Sequence, residues 1–188
     1  MPDGTDIAVG GRRYRGAMTT STRSLPHDDR PEPPERAGER ETLEGFLDFF
    51  RATVVFKATG LSNADAARRL LPSLTTVSGL VRHLADVERS WFRESLAGES
   101  DVPTRWSDDD RDGEFRVSET DDLGELLRDY EAACAESRAV AARYELDDVA
   151  ADGRHSLRWI LVHMIEETGR HCGHLDILRE LLDGATGE

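Results

Sequence analysis

From Glu39 onward the chain shows helical periodicity, with apolar residues recurring at three- and four-residue spacing. In "ETLEGFLDFFRATVVFKATGL" the stripe is Leu43, Phe46, Leu47, Phe50 and Val54, and Gly60 closes the segment. "LSNADAARRLLP" predicts a short helix capped by Ser62 and stopped before Pro72. A second long helix, capped near Thr75 and ending at Gly98, carries Val77, Leu80, Leu84, Val87 and Trp91 on one face. A third runs from about Asp121 to Tyr144 through Leu123, Leu126, Leu127, Tyr130, Ala133, Cys134 and Val140. The fourth spans Ser156 to about Leu182, with Gly184 as its stop signal.

No segment alternates as a strand does, and no repeat is visible. Four long helices with a long crossover connection between the second and third (residues 99–117) predict an all-α four-helix bundle over residues 39–184. A connection of that length inside a compact domain usually covers something. Residues 1–38 hold five of the seven prolines and almost no large apolar side chains, so they are expected to be a disordered extension. Within them Met18 is the expected natural start, and residues 185–188 form a tail.

Charge narrows the function classes. Residues 1–38 contain six arginines against six acidic residues, so the net −14 belongs to residues 39–188. An acidic domain repels phosphate backbones, which argues against nucleic acid and against an anionic membrane surface as partners. Two cysteines are too few for a disulfide framework. With no signal peptide and no membrane-length apolar run, a cytoplasmic protein with free thiols is expected, and a homodimer stays open.

The candidate chemistry lies in "HMIEETGRHCGH", residues 163–174, inside the fourth helix. Its inward stripe would run Leu157, Ile160, Met164, Glu167, His171, Leu175, Leu178 and Leu182, which makes Glu167 and His171 neighbours four residues apart. His83, between Leu80 and Val87, falls on the apolar side of the second helix. A buried carboxylate needs compensation. Two imidazoles and a carboxylate suit a divalent metal with open positions, zinc or nickel; the alternative is a plain Glu–His hydrogen bond or an edge position reaching water. His174 is placed at the rim, as a partner of a ligand or a substrate contact. His163 and Glu166 are expected on the outer face, His155 in an ordinary loop, and Cys172 as packing. Asp86 and Glu88 are expected on a solvated face, although Asp86 could orient His83. Trp91, Phe92 and Trp159 are expected to pack. Trp106, in the long connection, is the candidate lid.

"GLVRHLADVERSWF" together with "RWILVHMIEETGRHCGHLDILRELLDG" resembles the DinB/YfiT-like superfamily of metal-binding four-helix bundles, and within it an actinobacterial mini-circle-type branch. The resemblance covers roughly residues 28–184. It implies one metal ligand from the second helix, matching His83, and two from the last helix before a glycine, matching Glu167 and His171. Many members have His where this chain has Glu167, whereas the related mycothiol-dependent maleylpyruvate isomerases have Glu there. The resemblance also implies a low-molecular-weight thiol cosubstrate such as mycothiol, used with an electrophile in a transferase or isomerase reaction. The competing expectation is a non-enzymatic, stress-related helical protein that binds a metal or small ligand.

Overall fold

Local capping explains where the helices begin. The side chains of Thr76, Asp122 and Ser156 accept the backbone N–H groups of Gly79, Glu125 and Trp159, satisfying donors that a first helical turn leaves open. The computed structural model, which describes residues 27–186, contains α1 (Glu39–Ala58), α2 (Asn63–Ala66), α3 (Val77–Arg89), α4 (Leu123–Ala141) and α5 (Leu157–Asp183). The chain is all-α: among the described residues there is no strand, only an isolated bridge between Val149 and Ser156. Gly98 and Gly184 adopt the left-handed conformation that ends a helix at little steric cost.

Two elements depart from the expected pattern. α2 is a single turn rather than a helix reaching Leu71: Arg69 donates to the carbonyls of Pro72 and Ser73, holding the segment before the proline in a turn. Beyond Arg89 the chain winds on as a π-helix, Ser90–Leu96. The wider turn rotates the inward face, so Phe92 and Leu96 are buried while Trp91 is only half-buried. Phe46, expected inward, is 44% exposed.

α1 packs along α5 and α3 along α4. Contacts Glu39–Arg158 and Lys57–Asp176 make α1 and α5 run the same way. Arg51–Glu88 and His83–Glu167 place α3 antiparallel to both. The interior divides into two apolar clusters, one centred on Val54, Leu84, Ala133 and Leu175, the other on Leu47, Phe92, Val140 and Met164. Between them lies a buried polar level: Arg51, Glu88, Ser137 and Thr168, one residue from each long helix. Arg51 grips Glu88 with both ends of its guanidinium, Nε donating to Oε1 at 2.8 Å and Nη2 to Oε2 at 2.6 Å. The Ser137 hydroxyl donates to the Glu88 carbonyl. Glu88 is therefore not on a solvated face. Its spacing of four from both Leu84 and Phe92 puts it in the core stripe.

Residues 1–26, which include Met18, and residues 187–188 lie outside the described residues. Residues 27–38 have no regular secondary structure but contact the helices. Arg30 donates to Thr53 of α1 and lies over the rings of Phe49 and Phe56.

Removing one half of the central ion pair strands the other charge in the core. Glu88→Ala is expected to lower unfolding free energy by about 3–5 kcal/mol, whereas replacing both residues by apolar ones of similar size recovers most of the loss. Urea unfolding of the single and double variants measures this; equal stability of Glu88→Ala and wild type would contradict it.

Candidate functional site

One turn from the polar level, α3 and α5 bring three side chains together. Glu167 Oε1 lies 3.3 Å from His83 Nε2 and 3.1 Å from His171 Nε2. One donor atom from each residue falls within 4.8 Å of the others, close enough for one cation to reach all three. The three side chains sit at the edge of the core, not inside it. In α5 the fully buried line passes through Met164, Thr168, Cys172 and Leu175, so Glu167 and His171 are rotated by one position towards α3 and are partly exposed. Cys172 holds the core position expected for its neighbour.

The other nitrogen of each imidazole is also engaged. His83 Nδ1 is 3.3 Å from Glu114 Oε1, and His171 Nδ1 is 3.2 Å from His174 Nδ1. Glu114 belongs to a 3-10 turn, Gly113–Phe115, in the long connection. Arg82 fastens that turn to α3 by donating to the carbonyls of Gly113, Glu114 and Arg116. Phe115 stacks on the His83 ring at 5.0 Å. Asp86 does not orient His83; it is buried and binds Arg105, through both the guanidinium and the backbone N–H. Glu114 takes the role considered for Asp86, and no periodic signal in the connection marks it. Only its position in a long internal loop could have drawn attention to it.

The electrostatics follow from these contacts. Hydrogen bonds from His171 and His83 hold the Glu167 carboxyl well below the usual carboxylate range, outweighing its partial burial. Partial burial, then the neighbouring His171 and Arg170, push His174 down, which favours its neutral form. His83 lies between two carboxylates. Each imidazole turns Nε2 towards Glu167, while Nδ1 meets Glu114 in His83 and His174 in His171. A cation among His83 Nε2, His171 Nε2 and Glu167 would be met by two imidazole nitrogens and one carboxylate, with Glu114 and His174 fixing the ring tautomers from outside. The donor set therefore fits a divalent metal.

A cleft of about 340 Å³ opens beside His83, lined by Trp91, Trp106, Arg111 and Glu114 among others. A model of the mycothiol-S-transferase family matches residues 42–184. The chain belongs to that family. Mycothiol-S-transferases are a DinB/YfiT-like group, in keeping with the resemblance carried by the motifs of α3 and α5. No individual curated protein matches the chain.

The remaining candidates fall elsewhere. His163 is partly exposed, with its ring 4.6 Å from that of Trp91 and stacked on exposed Trp159 at 5.2 Å. His155 packs on Trp159 and bonds Asp152. Glu166 is exposed and pairs with Arg170. Among the described residues no helix is long and apolar enough to cross a membrane.

Burial pushes both thiols up to about 12, Cys134 and Cys172 alike. Because the thiolate is the reacting species, iodoacetamide at pH 8 is expected to leave both untouched in folded protein while alkylating both after denaturation. Mass spectrometry reads the outcome; rapid modification of the folded protein would show an accessible, activated cysteine.

Proposed function

We propose that this mycothiol-S-transferase family member transfers a low-molecular-weight thiol of the mycothiol type to an electrophile, with a divalent metal held by His83, Glu167 and His171. Zinc suits two imidazoles and one carboxylate, and nickel is the alternative. The observation that supports the reading most is the convergence of three ligand atoms whose outer partners, Glu114 and His174, are already in place. The metal, when bound, supplies positive charge that keeps a thiol deprotonated at neutral pH.

The protein's own groups do the rest. Glu114 accepts the His83 Nδ1–H and His174 accepts the His171 Nδ1–H, which presents both Nε2 lone pairs inwards. Trp91 and Trp106 wall the cleft in which the bodies of thiol and electrophile lie, and Trp106 is the element of the connection that closes over them. In the transfer the sulfur forms a bond to the electrophilic carbon, the leaving group departs with the bonding pair, and the thiol proton passes to solvent. Cys134 and Cys172, buried and protonated, take no part. The working unit is residues 39–184, a four-helix bundle of α1, α3, α4 and α5 in which the long crossover between α3 and α4 brings Glu114 to the site. We place the reaction in the cytoplasm.

Thiol consumption with mycothiol and a panel of electrophiles, with metal-loaded and metal-free protein, tests this. Turnover only in the loaded form is expected, with Glu114→Gln weakening metal affinity about 10–100-fold. Cobalt-substituted protein should also gain a sulfur charge-transfer band in the near ultraviolet on adding thiol. Loaded protein showing neither turnover nor that band at saturating thiol would remove the transferase reading and leave a binding protein.

A further inference from the structure

α1 pairs with α5 and α3 with α4, which leaves the side where α1 faces α4 without such packing. The two helices are tied at their ends instead. Arg40 of α1 donates to the carbonyls of Ala141 and Tyr144, and at the other end Asn63, at the start of α2, accepts the Leu123 N–H. Midway, Asp48 meets Arg51 and Arg138 and divides the gap into two hollows of about 540 Å³ and 330 Å³. The larger has the size of a small-molecule site. Ala52, Val55 and Phe56 of α1 wall it on one side, Tyr130 and Cys134 of α4 on the other. Residues 27–31 form a third wall, fastened by Arg30, which donates to Thr53 and lies over the rings of Phe49 and Phe56.

The charges around the larger hollow are unevenly matched. Its three arginines are committed, Arg30 to Asp28, Arg51 to Glu88 and Asp48, and Arg138 to Asp48. Asp29 and Glu131, exposed at its mouth, have no partner among the described residues. We propose that this hollow binds an organic cation with an apolar body, the body lying over Ala52, Val55 and Phe56 and the positive group facing Asp29 and Glu131. A positive charge drawn out of water has to be paired, and two unmatched carboxylates supply the pairing. An anion would meet those carboxylates in a chain of net charge −14, a repulsion that selects against it. A bare metal ion is unsuited for a different reason. Asp29 and Glu131 belong to no group of side chains whose ligand atoms converge, and apolar walls offer such an ion nothing to coordinate. No residue of the hollow takes part in the metal or thiol reading, so each stands without the other.

Fluorescence titration of the full chain with ethidium, a permanent cation on a flat apolar body whose emission rises out of water, tests the proposal. In about 0.15 M salt, where scattered surface charges are screened, one saturable site per chain in the micromolar range is expected. Glu131→Lys and Asp29→Lys should each weaken it about tenfold with far-UV helicity unchanged, because both residues are exposed and each change reverses a charge beside the ligand. Ala52→Trp, which fills the hollow, should abolish saturable binding, and saturating zinc should leave the wild-type affinity as it is. The absence of a saturable site, an affinity for the anion anilinonaphthalene sulfonate as high as for ethidium, or competition by zinc would each overturn the site. So would a charge reversal without effect, the behaviour of an uncharged ligand, or a folded Ala52→Trp variant that binds as wild type does.

Discussion

The buried ion pair between Arg51 and Glu88 is the constraint to which the rest of the structure answers. Two charges taken out of water are tolerated only when they meet in good geometry, and here the guanidinium and carboxylate meet at two points. That requirement fixes α1 against α3 along their length. Ser137 of α4 and Thr168 of α5 occupy the same level, so every long helix has a polar residue where the two apolar clusters join. Sliding one helix by a turn would set a charge against Leu84 or Phe92.

The candidate site inherits its geometry from that register. His83 lies five residues before Glu88, and Glu167 is the neighbour of Thr168, so the level that positions the ion pair also sets His83 opposite Glu167 and His171. The long connection completes the arrangement. Arg82 and Asp86, on the same stretch of α3, pin it at Gly113–Arg116 and at Arg105. Glu114 reaches His83 as a consequence of backbone anchoring, not of chance flexibility.

Much of this was legible in the sequence. The four long helices, the polar caps of α3, α4 and α5 and the glycine stops at Gly98 and Gly184 follow from periodicity and local hydrogen bonding, which act over a few residues. The joint placement of His83, Glu167 and His171 follows from helical spacing on two helices. Three features did not follow. Glu88 and Thr168 are polar residues in core positions, and hydrophobicity alone assigns such residues to water until their partners on other helices are known. The π-helical turn after Arg89 shifts the inward face from Trp91 to Phe92, a change of period that a regular helix pattern does not contain. Glu114 contacts a residue 31 positions away from within an aperiodic loop, so only the fold could place it.

The central claim is that the three convergent side chains are a metal centre. The most direct measurement is the metal content of wild type and His171→Ala purified without a chelating tag, by elemental analysis after dialysis against trace zinc. About one divalent cation per wild-type chain, and a stoichiometric loss in His171→Ala with helicity preserved, is the predicted result. Wild type emerging without metal, or the variant retaining as much as its parent, would contradict it and return Glu167 to a hydrogen-bonding role between two histidines.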